Sequence, residues 1–193
     1  VEIATNKLLM RRALRDKQLP TPQFRYLNAA ADLEAVAAQI EYPCVLKPLS
    51  LAGSRGVIRV DSPRQLVRAG ERIRALLATI DGLDDDGLLA EGYIPGAELA
   101  LEGVLKEGRL HPLALFDKPI PLTGPYFEET IYVTPSRFPI EIQQKVINAV
   151  QAAVMAIGLT DGAVHAEVRV NEGGVWVLEV APRSIGGLCA GSL

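Results

Sequence analysis

Apolar positions along the chain recur with two periods, and the changes between them mark out its elements. Leu8, Leu9, Arg12 and Ala13 fall at helical spacing behind Asn6. A capped helix is therefore expected from Asn6 to about Lys17, stopped by "LPTP" at Leu19 to Pro22. Phe24 to Leu27 is a short strand, and Asp32 to Ile40 returns to helix with Leu33, Val36, Ala37 and Ile40 on one face. Pro43 introduces a strand, "CVLKP", that ends in a lysine. "LSLAGSRG" (Leu49 to Gly56) is a loop of small residues, Val57 to Val60 a strand, and Ser62 opens a helix to about Ala78.

The second half changes character. "LLAEGYI" is a strand, and "PGAELALEGVLKEGRLHPLALF" is a hairpin turning at Lys106 to Arg109. "DKPIPLTGPYFEETIYVTPSRFP" is long, irregular and rich in proline and aromatic residues, and loops of that length usually carry function or stay disordered. Residues 140–157 place Ile142, Val146, Val150, Val154 and Ile157 on a helical stripe that reads as core. Two strands, "AVHAEVRV" and "VWVLEVA", follow around "NEGG". The class is α+β. The division is a helix and linker over 1–20, one α+β unit over 21–91 and a second over 92–193.

Composition narrows the function. The 193 residues, 49% of them apolar and 22% charged, describe a soluble globular protein. A net charge of −3 speaks against a nucleic-acid partner. No stretch is long enough for a membrane partner, and no signal peptide is visible. Cys44 and Cys189 match no metal spacing and read as reduced thiols, which suits the cytoplasm. The carboxylates of "DGLDDDG" do not fit a calcium loop, so a solvated turn is expected there. Beginning without Met and inside a helix, the chain is expected to be a fragment.

The chemistry starts from Glu179, a charge inside an otherwise apolar strand. Strand residues alternate faces, so Val164, Ala166, Val168 and Val170 share one side and His165, Glu167 and Arg169 the other. A three-residue turn of Glu172, Gly173 and Gly174 pairs Asn171 with Val175 and sets Glu167 opposite Glu179; a two- or four-residue turn pairs Glu167 with Leu178 instead. Trp176 then alternates with the Glu179 face and packs inward. Facing carboxylates repel unless a cation lies between them or one stays protonated, and hard oxygen ligands suit Mg²⁺. A strand-edge Glu179 pointing to solvent is the other reading.

Lys47 ends its strand beside the small-residue loop, where backbone N–H groups and an ammonium can both meet a phosphate, although the P-loop spacing is absent. A plain Gly/Ser turn gives the same pattern. In "AEGYIPGAE" the backbone between Glu91 and Glu98 can meet an adenine edge and Glu98 a ribose, or the segment is a surface linker. Two histidines, His111 and His165, and no Ser–His–Asp or Cys–His set leave no covalent nucleophile. His165 and Lys118 are candidates for substrate contact. Glu128 and Glu129 could select a cationic amine or simply be solvated.

Taken in order, "NKLLMRRAL", "YPCVLKPLSLAGSRGV", "LLAEGYIPGAEL", "GAVHAEVRV" and "VWVLEVAPRSIGG" resemble the ATP-grasp superfamily over almost the whole chain. Within it the chain is most similar to carboxylate–amine ligases, near the L-amino-acid ligases. The resemblance implies two α+β subdomains gripping ATP, without the N-terminal domain that precedes them in such ligases. It implies that Lys7 and Lys47 hold ATP phosphates under a mobile lid from Ser50 through Gly53 and Ser54 to Gly56. Glu91, Tyr93 and Ile94 would face the adenine, with Val45 and Leu178 packing on its ring, and Glu98 would take the ribose. Glu167 and Glu179 would carry Mg²⁺ (or Mn²⁺). Arg183 would stabilise an acyl-phosphate and the oxyanion that follows, helped by the Gly186 and Gly187 backbone. Lys47, Glu179 and Arg183 are thus the expected catalytic set, and a carboxylate and an amine the small-molecule partners. The long segment is similar to the family's substrate side, and a homodimer of the full-length protein is left open.

One departure stands out. Many members carry an Asn two residues after the second Glu, as a further metal ligand, and here that place is Ala181. A nucleotide-binding module without catalysis is therefore the alternative from a different class. A third is a carbamoyl-phosphate-synthase-like or biotin-carboxylase-like subunit, which the long organic-looking segment disfavours.

Overall fold

The computed structural model describes residues 2–83, 87–128, 131–186 and 189–192. The aspartates of "DGLDDDG" at 84–86, Glu129 and Gly187 lie outside the described residues.

The described residues form two four-stranded antiparallel sheets, each with helices packed against it. The first has the order β1 (Phe24–Leu27), β4 (Leu88–Gly92), β2 (Cys44–Pro48), β3 (Ile58–Val60). Alternation along β2 and β4 decides its two faces. Cys44, Leu46, Leu88 and Ala90 turn toward α3 (Leu33–Ala37) and α4 (Pro63–Leu77), where Leu66, Ile73 and Leu77 complete a core. Burial, with Asp61 nearby, pushes the Cys44 thiol up to about 12, so it behaves as a core residue. Val45, Lys47 and Glu91 turn the other way, toward a cleft. Asp32 and Ser62 cap α3 and α4 through side-chain acceptance, as their places before the apolar runs lead one to expect. The helices meet closely at Gly70, where a Cβ would stand 2.7 Å from a Leu33 methyl.

The second sheet has the order β6 (Arg109–Lys118), β5 (Ala97–Lys106), β7 (Gly162–Asn171), β8 (Gly174–Ala181). One face buries Leu99, Leu101, Val164, Ala166 and Val168 against Val146, Val150, Ala153 and Val154 of α5 (Ile140–Ala156). The N-terminal helices join this core, α1 (Glu2–Thr5) through the partly buried Ile3 and Ala4 and α2 (Lys7–Asp16) through Met10 and Leu14. Leu8 of α2 instead packs with Leu89 of the first sheet and with Leu49, just past the end of β2, so α2 is wedged between the two sheets. Asn6 caps it by accepting from the Leu8 and Leu9 amides at 3.0 and 3.1 Å.

Two sequence expectations for β8 need correction. The β7–β8 turn is the two residues Glu172 and Gly173, since Asn171 pairs with Gly174. That register alone would set Glu167 opposite Leu178. A bulge intervenes: Val168 pairs with Val177, but Glu167 pairs with Glu179, leaving Leu178 as the extra residue. Val175, Val177 and Val180 are therefore the inward residues, and Trp176 pairs with Arg169 on the opposite face rather than packing into the core.

Candidate active site

The two sheets and α2 enclose a cleft of about 680 Å³, part of it open to solvent. Most of the residues that the resemblance singles out line it: Lys7, Val45, Lys47, Ser54, Glu91, Tyr93, Ile94, Glu98, Glu167, Leu178 and Glu179. Ser50 and Arg183 line a hollow beside it, and Lys7, Leu51 and Glu179 face both spaces. Gly53, Ser54 and Gly56 take left-handed backbone (φ 64°, 54° and 72°), so the loop turns tightly between β2 and β3.

At the floor lies Glu91. Its carboxylate accepts from Lys47 Nζ at 2.6 Å and from Arg11 Nε at 2.7 Å. Burial alone would raise its pKa, but the charges and hydrogen bonds of Arg11 and Lys47 prevail and hold it at about 2. Arg11 is fully buried (0% exposed) and also donates to the Val177 and Leu178 carbonyls, both at 2.8 Å. It thus grips both sides of the bulge and fixes the two sheets to each other. Lys7, one turn earlier on α2, donates to the Leu51 carbonyl at 2.6 Å. Burial lowers its pKa against the pull of Glu179, and Lys47 adds to the fall.

The wall opposite is the polar face of the second sheet, a run of buried charges. Arg169 Nε donates to Glu98 Oε2 at 2.8 Å, and Lys118 Nζ donates to Glu98 Oε1 at 2.8 Å and to Glu167 Oε1 at 3.0 Å. His165 lies between Glu167, at 3.4 Å from Nε2, and Glu102, which its Nδ1 contacts closely. Burial works against a charged ring, yet its bonds to Glu102 and Glu167 win and raise its pKa to about 9. Burying this many charges is tolerable because each carboxylate meets a cation.

Arg169 also donates to the Ile94 carbonyl at 2.6 Å and the Leu122 carbonyl at 2.5 Å. Its guanidinium stands 5.1 Å from the Tyr93 ring centre and 5.7 Å from that of Phe127. Tyr93 carries Arg59 on it at 4.2 Å, and its N–H donates to the Pro43 carbonyl. The backbone from Glu91 to Ile94 is thus tied to both halves of the chain.

Glu167 and Glu179 share the cleft wall at paired positions of β7 and β8. Among the described residues no group of three His, Cys, Asp or Glu could hold a metal ion. The two carboxylates are hard oxygen donors, of the kind that can join phosphate and water oxygens around a cation such as Mg²⁺. Ala181 stands opposite His165 and offers no ligand. Arg183 is exposed, and among the described residues its side chain bonds only locally, Nη1 donating to the Ser184 carbonyl at 2.9 Å. Gly186 is exposed and Glu128 likewise.

Three residues of this site had no role in the sequence reading. Arg11 falls on the stripe Lys7, Met10, Arg11, Leu14, the buried face of α2, so its spacing carried the signal. Arg169 shares the Glu167 face. Glu102 follows Glu98 by four residues on the same strand face.

Residues 40–192 match the family profile of the ATP-grasp domain. The chain is 27% identical to the alanine–anticapsin ligase of Bacillus amyloliquefaciens, over 96% of this chain and 42% of that protein. It is 33% identical to the D-alanine–D-alanine ligase of Aromatoleum aromaticum, over 72% of this chain and 43% of that one. Among solved structures, the L-amino acid ligase from Bacillus licheniformis superposes with a TM-score of 0.79 at 31% identity, over 96% of this chain and 42% of its own. The chain spans about two fifths of the length of these relatives. No helix of the described residues is long and apolar enough to cross a membrane.

Proposed function

Because the chain belongs to the ATP-grasp family, we propose that its cleft binds ATP with Mg²⁺ or Mn²⁺ and that the protein joins a carboxylate to an amine, with amino acids as substrates. The observation that carries this reading is the convergence on one cleft of two facing carboxylates, Glu167 and Glu179, with two ammonium groups, Lys7 and Lys47. Two carboxylates and two cations suit a polyphosphate bearing a divalent cation better than any neutral ligand.

In this reading Val45 and Leu178 pack on the adenine, Tyr93 and Ile94 meet its edge, and Glu91 sets the Lys47 ammonium. Glu98 accepts from the ribose through lone pairs left by its two cations. Lys7 and Lys47 bind phosphate oxygens, and the 50–56 loop covers them. Glu167 and Glu179 hold the cation, which when bound neutralises phosphate charge. The substrate carboxylate attacks the γ-phosphorus of ATP, ADP leaves, and an acyl-phosphate forms. The amine then attacks the acyl carbon, phosphate leaves, and a proton is lost to solvent. Arg183 stabilises the charge that grows on the transferred phosphoryl group and on the oxyanion. Positioning and charge neutralisation supply the catalysis, in keeping with the lack of a covalent nucleophile.

Ala181 favours a second reading, a module that binds nucleotide without turning it over. Phosphate release from ATP and Mg²⁺, measured on the full-length protein with a panel of amino-acid pairs, separates the two. The ligase reading expects release that needs carboxylate and amine together and is lost in Glu179→Gln. Mg²⁺-dependent ATP binding with no release from any pair would establish the second reading instead.

A further inference from the structure

Among the described residues the Arg183 side chain bonds only to the adjoining Ser184 carbonyl, which does not hold it toward the cleft. What holds its loop is one residue further on. Ile185 is buried, and its N–H donates to Glu102 Oε2 at 2.9 Å. Glu102 is itself only 2% exposed, on the central strand β5, and its other oxygen takes the His165 ring. The second ring nitrogen of His165 faces Glu167. One buried carboxylate thus holds the backbone of the arginine loop with one oxygen. With the other it holds the imidazole that abuts a proposed cation ligand. A buried carboxylate is costly unless every oxygen is used, and a backbone N–H is a fixed partner that a flexible loop side chain is not.

We propose that Glu102 is a positioning residue for the ligase reaction: it anchors the 183–186 loop, and with it Arg183, through the Ile185 amide. This rests on the ligase reading above. Glu102 does not line the cleft, so its effect should fall on the transfer step and leave nucleotide binding alone. A purely structural glutamate would instead lower stability without separating the two.

The test uses the full-length protein and two variants. Glu102→Leu removes both bonds at similar volume. Glu102→Gln keeps a carbonyl oxygen for the Ile185 amide but loses the charge facing His165, and it serves where the leucine variant does not fold. The first readout is hydrogen exchange of the Ile185 amide. It is expected to accelerate in the leucine variant and to stay close to the parent in the glutamine variant. The second is turnover with the best substrate pair. The expected loss in kcat is on the order of ten- to a hundredfold for leucine and smaller for glutamine, with the ATP dissociation constant unchanged within about twofold. Unchanged kcat in both variants, beside an active parent, overturns the proposal, and so does ATP affinity falling in step with kcat. A parent inert with every pair defeats the ligase reading and with it the catalytic part of the proposal, and the exchange rate then decides the anchor on its own.

Discussion

Glu91 shows how much a single side chain can organise. It receives Lys47 on one oxygen and Arg11 on the other, and Arg11 carries the link on to the bulge of β8. Its folded pKa of about 2 lies below the ordinary value of 4.5. A depressed carboxylate contributes stability that is fully present above its unfolded pKa and is lost as pH falls toward the folded value. Acid unfolding is therefore expected to steepen between pH 4.5 and about 2, and Glu91→Gln to flatten the curve in that window; equal acid curves for the two proteins would contradict this. Arg11→Met keeps the volume but leaves Glu91 with Lys47 alone and two carbonyls without their donor. It is expected to cost about 3 kcal/mol or more in urea unfolding. At this scale the sequence was legible for residues whose chemistry is local, such as the Asn6 cap or the Lys47 strand end. The spacing of Arg11 puts it on the buried stripe of its helix, but its role declares itself only when its partners, 80 and 167 positions away, come into view.

Among the elements, β8 carries the finest adjustment. The facing of Glu167 and Glu179 arises from a two-residue turn plus a bulge, and not from the three-residue turn that the glycines suggested. The two departures offset each other in register. The clue lay in the spacing: Val175 and Val177 are two apart, but the next inward residue is Val180. A strict alternation would have sent Glu179 into the core with the valines. Deleting Leu178 removes only the extra residue, so Glu167 should still pair with Glu179, and Val177 and Val180 should still point inward. The deletion takes away one acceptor of Arg11 and part of the cleft's apolar wall. The variant is expected to fold, with a lower unfolding midpoint and several-fold weaker ATP binding by calorimetry. Parent-like affinity would take Leu178 out of the site, and failure to fold would show that the bulge itself secures the register.

At the scale of the molecule, the described residues join the two sheets through α2 between them, the Glu91–Ile94 connection, and the long segment after β6. The segment was expected on the substrate side. Part of it returns to the first sheet, where Tyr126 bridges Ile58, the Pro125 carbonyl accepts from the Arg59 N–H at 2.9 Å, and the Thr123 carbonyl accepts from Arg59 Nη1 at 2.8 Å. Its base is fixed by Asp117, which accepts from Ser136 Oγ at 2.6 Å and the Arg137 N–H at 2.8 Å. Between these ends Phe127 enters the cleft beside Arg169. Proline and aromatic content marked the segment as unusual, but no periodicity could say where it docks, because its partner is an edge strand from the other half of the chain. The stack Arg59, Tyr93, Arg169, Phe127 then runs from one sheet to the other along the mouth of the cleft. Arg59 is its outermost member and lies outside the cleft lining, so replacing it loosens the clasp while every lining residue stays. Arg59 also pairs with Asp61 at 2.8 Å, an exposed contact within its own strand end that does not reach the cleft. Losing the cation–π contact and the hydrogen bond to the Thr123 carbonyl, which do bear on the clasp, corresponds to about three- to tenfold in affinity. Arg59→Ala is accordingly expected to weaken ATP binding by that factor and to leave kcat at saturating ATP unchanged. The reverse pattern, full affinity with reduced kcat, would mean that the clasp acts on the substrates of the reaction and not on the nucleotide, and would return the segment to the side on which its sequence first placed it.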